Sequence, residues 1–189
     1  MDAFIASTLA VAMAEIGDKT QLLTLLLAAR FKNKTAIISG MLIATLLNHF
    51  IAAWLGQWLT GYLSPTVTQY LVALSFFAIA LWVLVPDKAD DRPGKFDRFG
   101  PFIATAILFF IAEMGDKTQI ATLVLAAHYQ HLLPVVLGTT AGMLLANVPV
   151  VLIGHYGAGK LPLQWVRRIS AVIFILLGVA TLLGSVDLS

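Results

Sequence analysis

The chain has 189 residues, 59% of them hydrophobic and only 12% charged, with a formal net charge of +2 and a mean hydropathy of +0.89. This balance excludes a soluble globular domain. Apolar blocks longer than the roughly 18 residues that mark a transmembrane helix make the class a polytopic membrane protein. Cysteine is absent, so disulfides and thiolate metal sites are excluded, and a metal would be held by oxygen or imidazole.

The first apolar block runs from about Ala3 to Ala29 and carries Glu15 and Asp18 near its middle. Only Asp2 precedes it after the initial methionine, without a basic region or a small-residue cleavage site, so a cleaved signal peptide is not expected. Arg30, Lys32 and Lys34 close the block, and a second runs from about Thr35 to Leu59 with Asn48 and His49 near its midpoint. A turn at Gly61, Ser64 and Pro65 leads to a third block, about Val67 to Val85, which has no charge and reads as a packing span.

Residues 86–100, PDKADDRPGKFDRFG, hold four acids and four bases and form the seam between two halves. This solvated segment is too short for an extramembrane domain. The fourth block spans about Pro101 to Ala127, with Pro101 suited to a first helical turn. After a short turn at His128 to His131, the fifth spans about Leu133 to His155. It contains Gly138 and Gly142, a small-residue spacing that allows close helix approach or a homodimer contact, and then Asn147 and Pro149. Lys160, Pro162, Arg167 and Arg168 precede the sixth, Ile169 to Leu183.

Of the twelve Lys and Arg residues, Lys19 and Lys117 lie inside spans; the other ten follow spans one, three and five. The positive-inside rule then puts the odd connections in the cytoplasm and both termini on the opposite side. Three spans per half is an odd number, so the halves have opposite orientation. The expected fold is all-α, six transmembrane helices as two inverted three-helix repeats: 1–85, a cytoplasmic linker over 86–100, and 101–189, together one transport domain.

One stretch occurs in both halves. Ala14-Glu-Ile-Gly-Asp-Lys-Thr-Gln21 returns as Ala112-Glu-Met-Gly-Asp-Lys-Thr-Gln119, with seven identities in eight positions at an offset of 98. Ionisable residues inside a span are costly and mark function by default. On a continuous helix, Glu15, Asp18 and Lys19 share one broad face, as do Glu113, Asp116 and Lys117. Facing each other, the copies bring four carboxylates and two ammonium groups, a formal −2 that one divalent cation cancels.

Glu15, Asp18, Glu113 and Asp116 are therefore the candidate metal ligands, supported by Lys19, Thr20, Gln21, Lys117, Thr118 and Gln119. Oxygen donors of this kind suit Mn²⁺, Ca²⁺ or Mg²⁺. Asn48, His49 and Asn147 are candidates to line the path. Gly17 and Gly115 admit two explanations: a mid-span helix end followed by a new N-cap at the aspartate with Gln three residues on, or close crossing of unbroken helices.

The bland alternatives are ion pairs that only hold the bundle together, threonines that satisfy helix carbonyls, and a hydrogen-bonded packing role for His49. His128, His131 and His155 are expected at the interface, and Trp54, Trp58, Trp82 and Trp165 as headgroup anchors. No Gly-rich phosphate loop is present, so no ATPase subunit, cofactor or enzymatic activity is expected, and no nucleic-acid module is visible. Protons competing with the cation for clustered carboxylates would couple the two movements.

With its two Glu-x-Gly-Asp-Lys-Thr motifs, the chain resembles, over nearly its whole length, the calcium and manganese cation/proton antiporters, also called uncharacterised protein family 0016. Glu15 to Thr20 and Glu113 to Thr118 both match the family pattern. The resemblance implies Mn²⁺ export across the bacterial inner membrane, with Ca²⁺ a second substrate, H⁺ the counter-ion and the acidic motif residues forming the path. A passive divalent-cation channel and a non-transporting membrane assembly factor are the alternatives.

Overall fold

A computed structural model describes residues 2–85, 96–153 and 163–184. Most of the polar linker, with Asp90 and Asp91, and also His155, Lys160 and Pro162 lie outside the described residues. The fold is all-α, with eight α-helices in the described residues: α1 Asp2–Glu15, α2 Lys19–Arg30, α3 Lys34–Thr60, α4 Pro65–Val83, α5 Gly100–Glu113, α6 Lys117–Tyr129, α7 Leu132–Ile153 and α8 Leu163–Leu182.

Local chemistry sets the helix ends. Asn33 caps α3 by accepting a hydrogen bond from the Ala36 N–H (3.0 Å). Ser64 caps α4, whose first turn holds Pro65, where the missing N–H costs nothing. Pro101 occupies the first turn of α5 as its position in the sequence predicts. At the other end of α6, Gln130 takes the left-handed conformation (φ 54°) that stops the helix. Pro149 sits inside α7 without ending it.

Four helices, α3, α4, α7 and α8, are long and apolar enough to cross a membrane. The distribution of polarity supports that setting. Leu74, Leu81, Leu145 and Leu176 are exposed, whereas Glu15, Glu113, Asn147 and His49 are wholly buried. Apolar residues outside and charges inside suit hydrocarbon as the surrounding medium.

Packing pairs the two halves. α1 lies along α7, α3 lies along α5 and α6, and α4 lies against α8. The first two contacts are backbone-close. A Cβ at Gly138 would fall 2.5 Å from the Phe4 carbonyl oxygen, and one at Gly142 would fall 2.6 Å from that of Thr8. Gly40 stands in the same relation to Phe102. Gly138 and Gly142 therefore pack inside the chain against α1, which selects close helix approach over the homodimer contact as the use of their spacing. Their surface is covered by α1 of the same chain.

His128 also departs from the interfacial placement expected of it. It is buried beside Phe76, with ring centroids 5.7 Å apart, and its Nδ1 lies 3.2 Å from the Thr181 hydroxyl. His131 is exposed, as are Trp54, Trp58, Trp82 and Trp165.

Candidate cation site

Both motif spans are broken. α1 ends at Glu15 and α2 starts at Lys19; α5 ends at Glu113 and α6 starts at Lys117. The break turns on Gly17 (φ 81°) and Gly115 (φ 73°), in a region that glycine enters without the Cβ penalty. The residues of each motif thus do not share the face of one continuous helix. The glutamates close one half-helix and the Asp-Lys pairs open the next.

A capping box is only partly realised. Gln21 Oε1 accepts from the Gly17 N–H (3.0 Å) and Gln119 Oε1 from the Gly115 N–H (2.7 Å), one residue further back than the N-cap itself. The Asp18 and Asp116 N–H groups are taken by the Glu15 and Glu113 carbonyls, each at 3.1 Å. Neither aspartate uses its side chain as a cap. Both carboxylates are therefore spared for a partner outside their own helix.

That partner is the lysine of the opposite motif. Lys117 Nζ lies 3.0 Å from Asp18 Oδ1, and Lys19 Nζ lies 3.1 Å from Asp116 Oδ1. The pairs cross between the halves. Taking charges out of water is costly, and close opposite partners are what make these four ions tolerable here.

Neither glutamate forms such a pair with a lysine among the described residues. Glu15 is wholly buried, and neither of its oxygens has a hydrogen-bond partner among the described residues. Glu113 is equally buried and accepts one bond, from the Thr118 hydroxyl to Oε2 (2.7 Å), leaving Oε1 unpartnered. Among the described residues, no three carboxylates or imidazoles stand close enough together to hold a metal ion in this conformation. The aspartates are engaged by lysine, and the four acids are not gathered into one cage.

The supporting residues form a shell around the breaks. Gln119 Nε2 donates to Asn48 Oδ1 (3.0 Å), and Asn48 Nδ2 donates to the Phe110 carbonyl (3.0 Å). Gln21 Nε2 donates to the Ala146 carbonyl (3.1 Å). Thr24, overlooked in the sequence, shares its one hydroxyl proton between the Asn147 amide oxygen (2.9 Å) and the Thr20 carbonyl (2.8 Å). Thr122 makes the matching bond to the Thr118 carbonyl (2.8 Å). Carrying the offset of 98 three residues past the motif would have found this threonine pair. His49 has no hydrogen-bond partner among the described residues, which removes the bonded packing role considered for it.

Comparison with known proteins meets this geometry at both motifs. The family described as divalent cation/proton antiporter GDT1 matches residues 3–91 and again residues 101–188. The chain belongs to the GDT1 family. It is 51% identical to a Vibrio cholerae protein named "Putative manganese exporter", over 96% of this chain and 90% of that one. It is 29% identical to GDT1-like protein 4 of Oryza sativa subsp. indica, over 92% of this chain and 70% of that protein. GDT1-like protein 5 of Arabidopsis thaliana is 27% identical, over 93% and 92% respectively. No solved structure matches the chain. GDT1 proteins are thus transporters of divalent cations by family description, and the broken, crossed motifs lie one in each matched segment.

Proposed function

We propose that this GDT1 protein exports a divalent cation, manganese foremost and calcium second, from the bacterial cytoplasm across the inner membrane in exchange for protons. Six spans carry it: α1 with α2 and α5 with α6 as two broken spans, and α3, α4, α7 and α8 as four continuous ones. They are arranged as two inverted repeats, with both termini periplasmic and Arg30, Lys32 and Lys34 on the cytoplasmic side. The double family match and the reciprocal packing of α1 on α7 and α5 on α3 support this repeat.

The observation that carries the proposal is the crossed pairing of Asp18 with Lys117 and Asp116 with Lys19 around two glutamates without a lysine. With both aspartates neutralised, Glu15 and Glu113 hold the formal −2 of the six ionisable motif residues. One divalent cation cancels that charge, and so do two protons. The glutamates bind cargo or protons, and the aspartates join as ligands when their lysines swing away. The half-helix ends supply dipoles and carbonyls at the same depth, as in other discontinuous transporter helices. A passive channel has less support, because crossed ion pairs plug the route that a pore would keep open.

The test is uptake of Mn²⁺ and of Ca²⁺ into liposomes containing the purified protein, with and without an imposed pH gradient. Gradient-dependent uptake that Glu15→Gln or Glu113→Gln abolishes supports antiport through the paired motifs. Flux that ignores the pH gradient contradicts proton coupling and makes Na⁺ the next counter-ion to examine. No flux of either ion from folded protein turns the weight to the assembly-factor alternative.

A further inference from the structure

α3 passes the break in the second half at Asn48. This one side chain touches both flanking half-helices, through the Phe110 carbonyl of α5 and the Gln119 amide of α6, each at 3.0 Å. His49 is the next residue, about 100° further round the helix. It is wholly buried on a helix packed against α5, α6 and α7, and neither ring nitrogen has a hydrogen-bond partner among the described residues. The Thr45 hydroxyl, one turn earlier on the same helix, is buried and unpartnered as well. A neutral imidazole has one donor and one acceptor, and buried groups of that kind are almost always satisfied. A phenylalanine or leucine would fill the space without that penalty.

The repeat supplies a counterpart for this position. At the offset of 98 that relates the motifs, His49 corresponds to Asn147. Asn147 Oδ1 accepts from Thr24, one turn beyond Thr20 of the first motif (2.9 Å). Thr122, the counterpart of Thr24, bonds to the Thr118 carbonyl. The same register position thus carries an amide bonded to the motif helix in one half and, in the other, an imidazole without a hydrogen-bond partner among the described residues. Every other candidate donor around the breaks is oxygen. A single nitrogen donor among oxygens changes the preference of a site, because first-row transition cations accept imidazole and Ca²⁺ and Mg²⁺ favour oxygen.

We propose that His49 enters the coordination sphere of the transported ion and selects first-row transition cations over Ca²⁺, a role that rests on the transport reading above. It makes the two halves of the site chemically unequal. Asn147 and the carboxylates accept any hard divalent ion, and His49 discriminates.

Two measurements test this. In proteoliposomes, His49→Asn, which copies the residue of the other repeat, is expected to lower the ratio of Mn²⁺ to Ca²⁺ uptake by at least about tenfold while Ca²⁺ uptake persists. An unchanged ratio, or equal loss of both ions, overturns the proposal in favour of packing. Native protein that moves neither ion contradicts the transport reading instead. The second measurement is pulsed electron paramagnetic resonance of Mn²⁺ bound to the purified protein. The native chain is expected to show ¹⁴N modulation from a coordinated imidazole that is lost in His49→Asn, or in His49→Gln should the first variant misfold. Bound Mn²⁺ without such modulation in the native protein overturns the proposal even if no variant folds.

Discussion

The two motifs differ in one residue of eight, yet their surroundings differ in three ways. In the second, Thr118 bonds to Glu113; in the first, the Thr20 hydroxyl and both Glu15 oxygens lack partners among the described residues. The Lys117–Asp18 pair is nearly sealed, with side chains 4% and 0% exposed, whereas Lys19 in the other pair is 22% exposed. The third difference lies on the neighbouring helices, where Asn147 bonds to Thr24 and His49 bonds to nothing described. Nearly identical sequence in unequal surroundings fits one state of the alternating exchange proposed above.

The glutamates carry the largest expected effects. Glu15→Gln and Glu113→Gln are each expected to reduce gradient-driven flux to that of empty liposomes. Glu15→Gln should leave the unfolding midpoint in detergent unchanged or higher, since it removes a buried carboxylate that has no compensating partner. A large loss of stability would show that Glu15 is structural.

The lysines come next. Lys117→Met strands Asp18 in the interior and is expected to cost about 3 kcal/mol or more. Lys19→Met also strands a buried carboxylate, Asp116, but Lys19 is partly exposed, so water reaches the vacated position and the cost should be smaller. Equal costs, measured by chemical unfolding, would erase the asymmetry between the pairs.

Thr118→Val removes a bond to a carboxylate and is expected to cost about 2 kcal/mol, against near zero for Thr20→Val. Gln21→Ala and Gln119→Ala each free one glycine N–H at a helix start, for about 1 kcal/mol. Gln119→Ala should be the worse of the two, because it also releases the side chain of Asn48, whereas Gln21 gives up only a backbone carbonyl.

Much of this site was legible from spacing alone. Apolar block lengths located the outer ends of most spans to within a few residues, but they ran across the breaks between α1 and α2 and between α5 and α6. They started the sixth block at Ile169 because Arg167 and Arg168, which lie inside α8, interrupt its apolar run. The repeat located the four acids and two lysines, and glycine before aspartate left the break open as one of two explanations. The crossing of the ion pairs was not legible. Lys19 lies next to Asp18 in sequence, and only the packing of the halves shows that each lysine serves the other motif. The role of Gly138 and Gly142 was hidden for a similar reason, since small-residue spacing announces close approach without naming the neighbour. Thr24 and Thr122 were missed because threonine at mid-span is common and cheap, and only its repetition at the motif offset sets it apart.

The most direct test of the crossed site is a double-mutant cycle on Asp18 and Lys117, with Asp18→Leu, Lys117→Met and both together, read as unfolding free energy in detergent. A coupling of at least about 1.5 kcal/mol is predicted, with no comparable coupling between Asp18 and the adjacent Lys19. Coupling confined to Asp18 and Lys19, with none across the halves, would contradict the account.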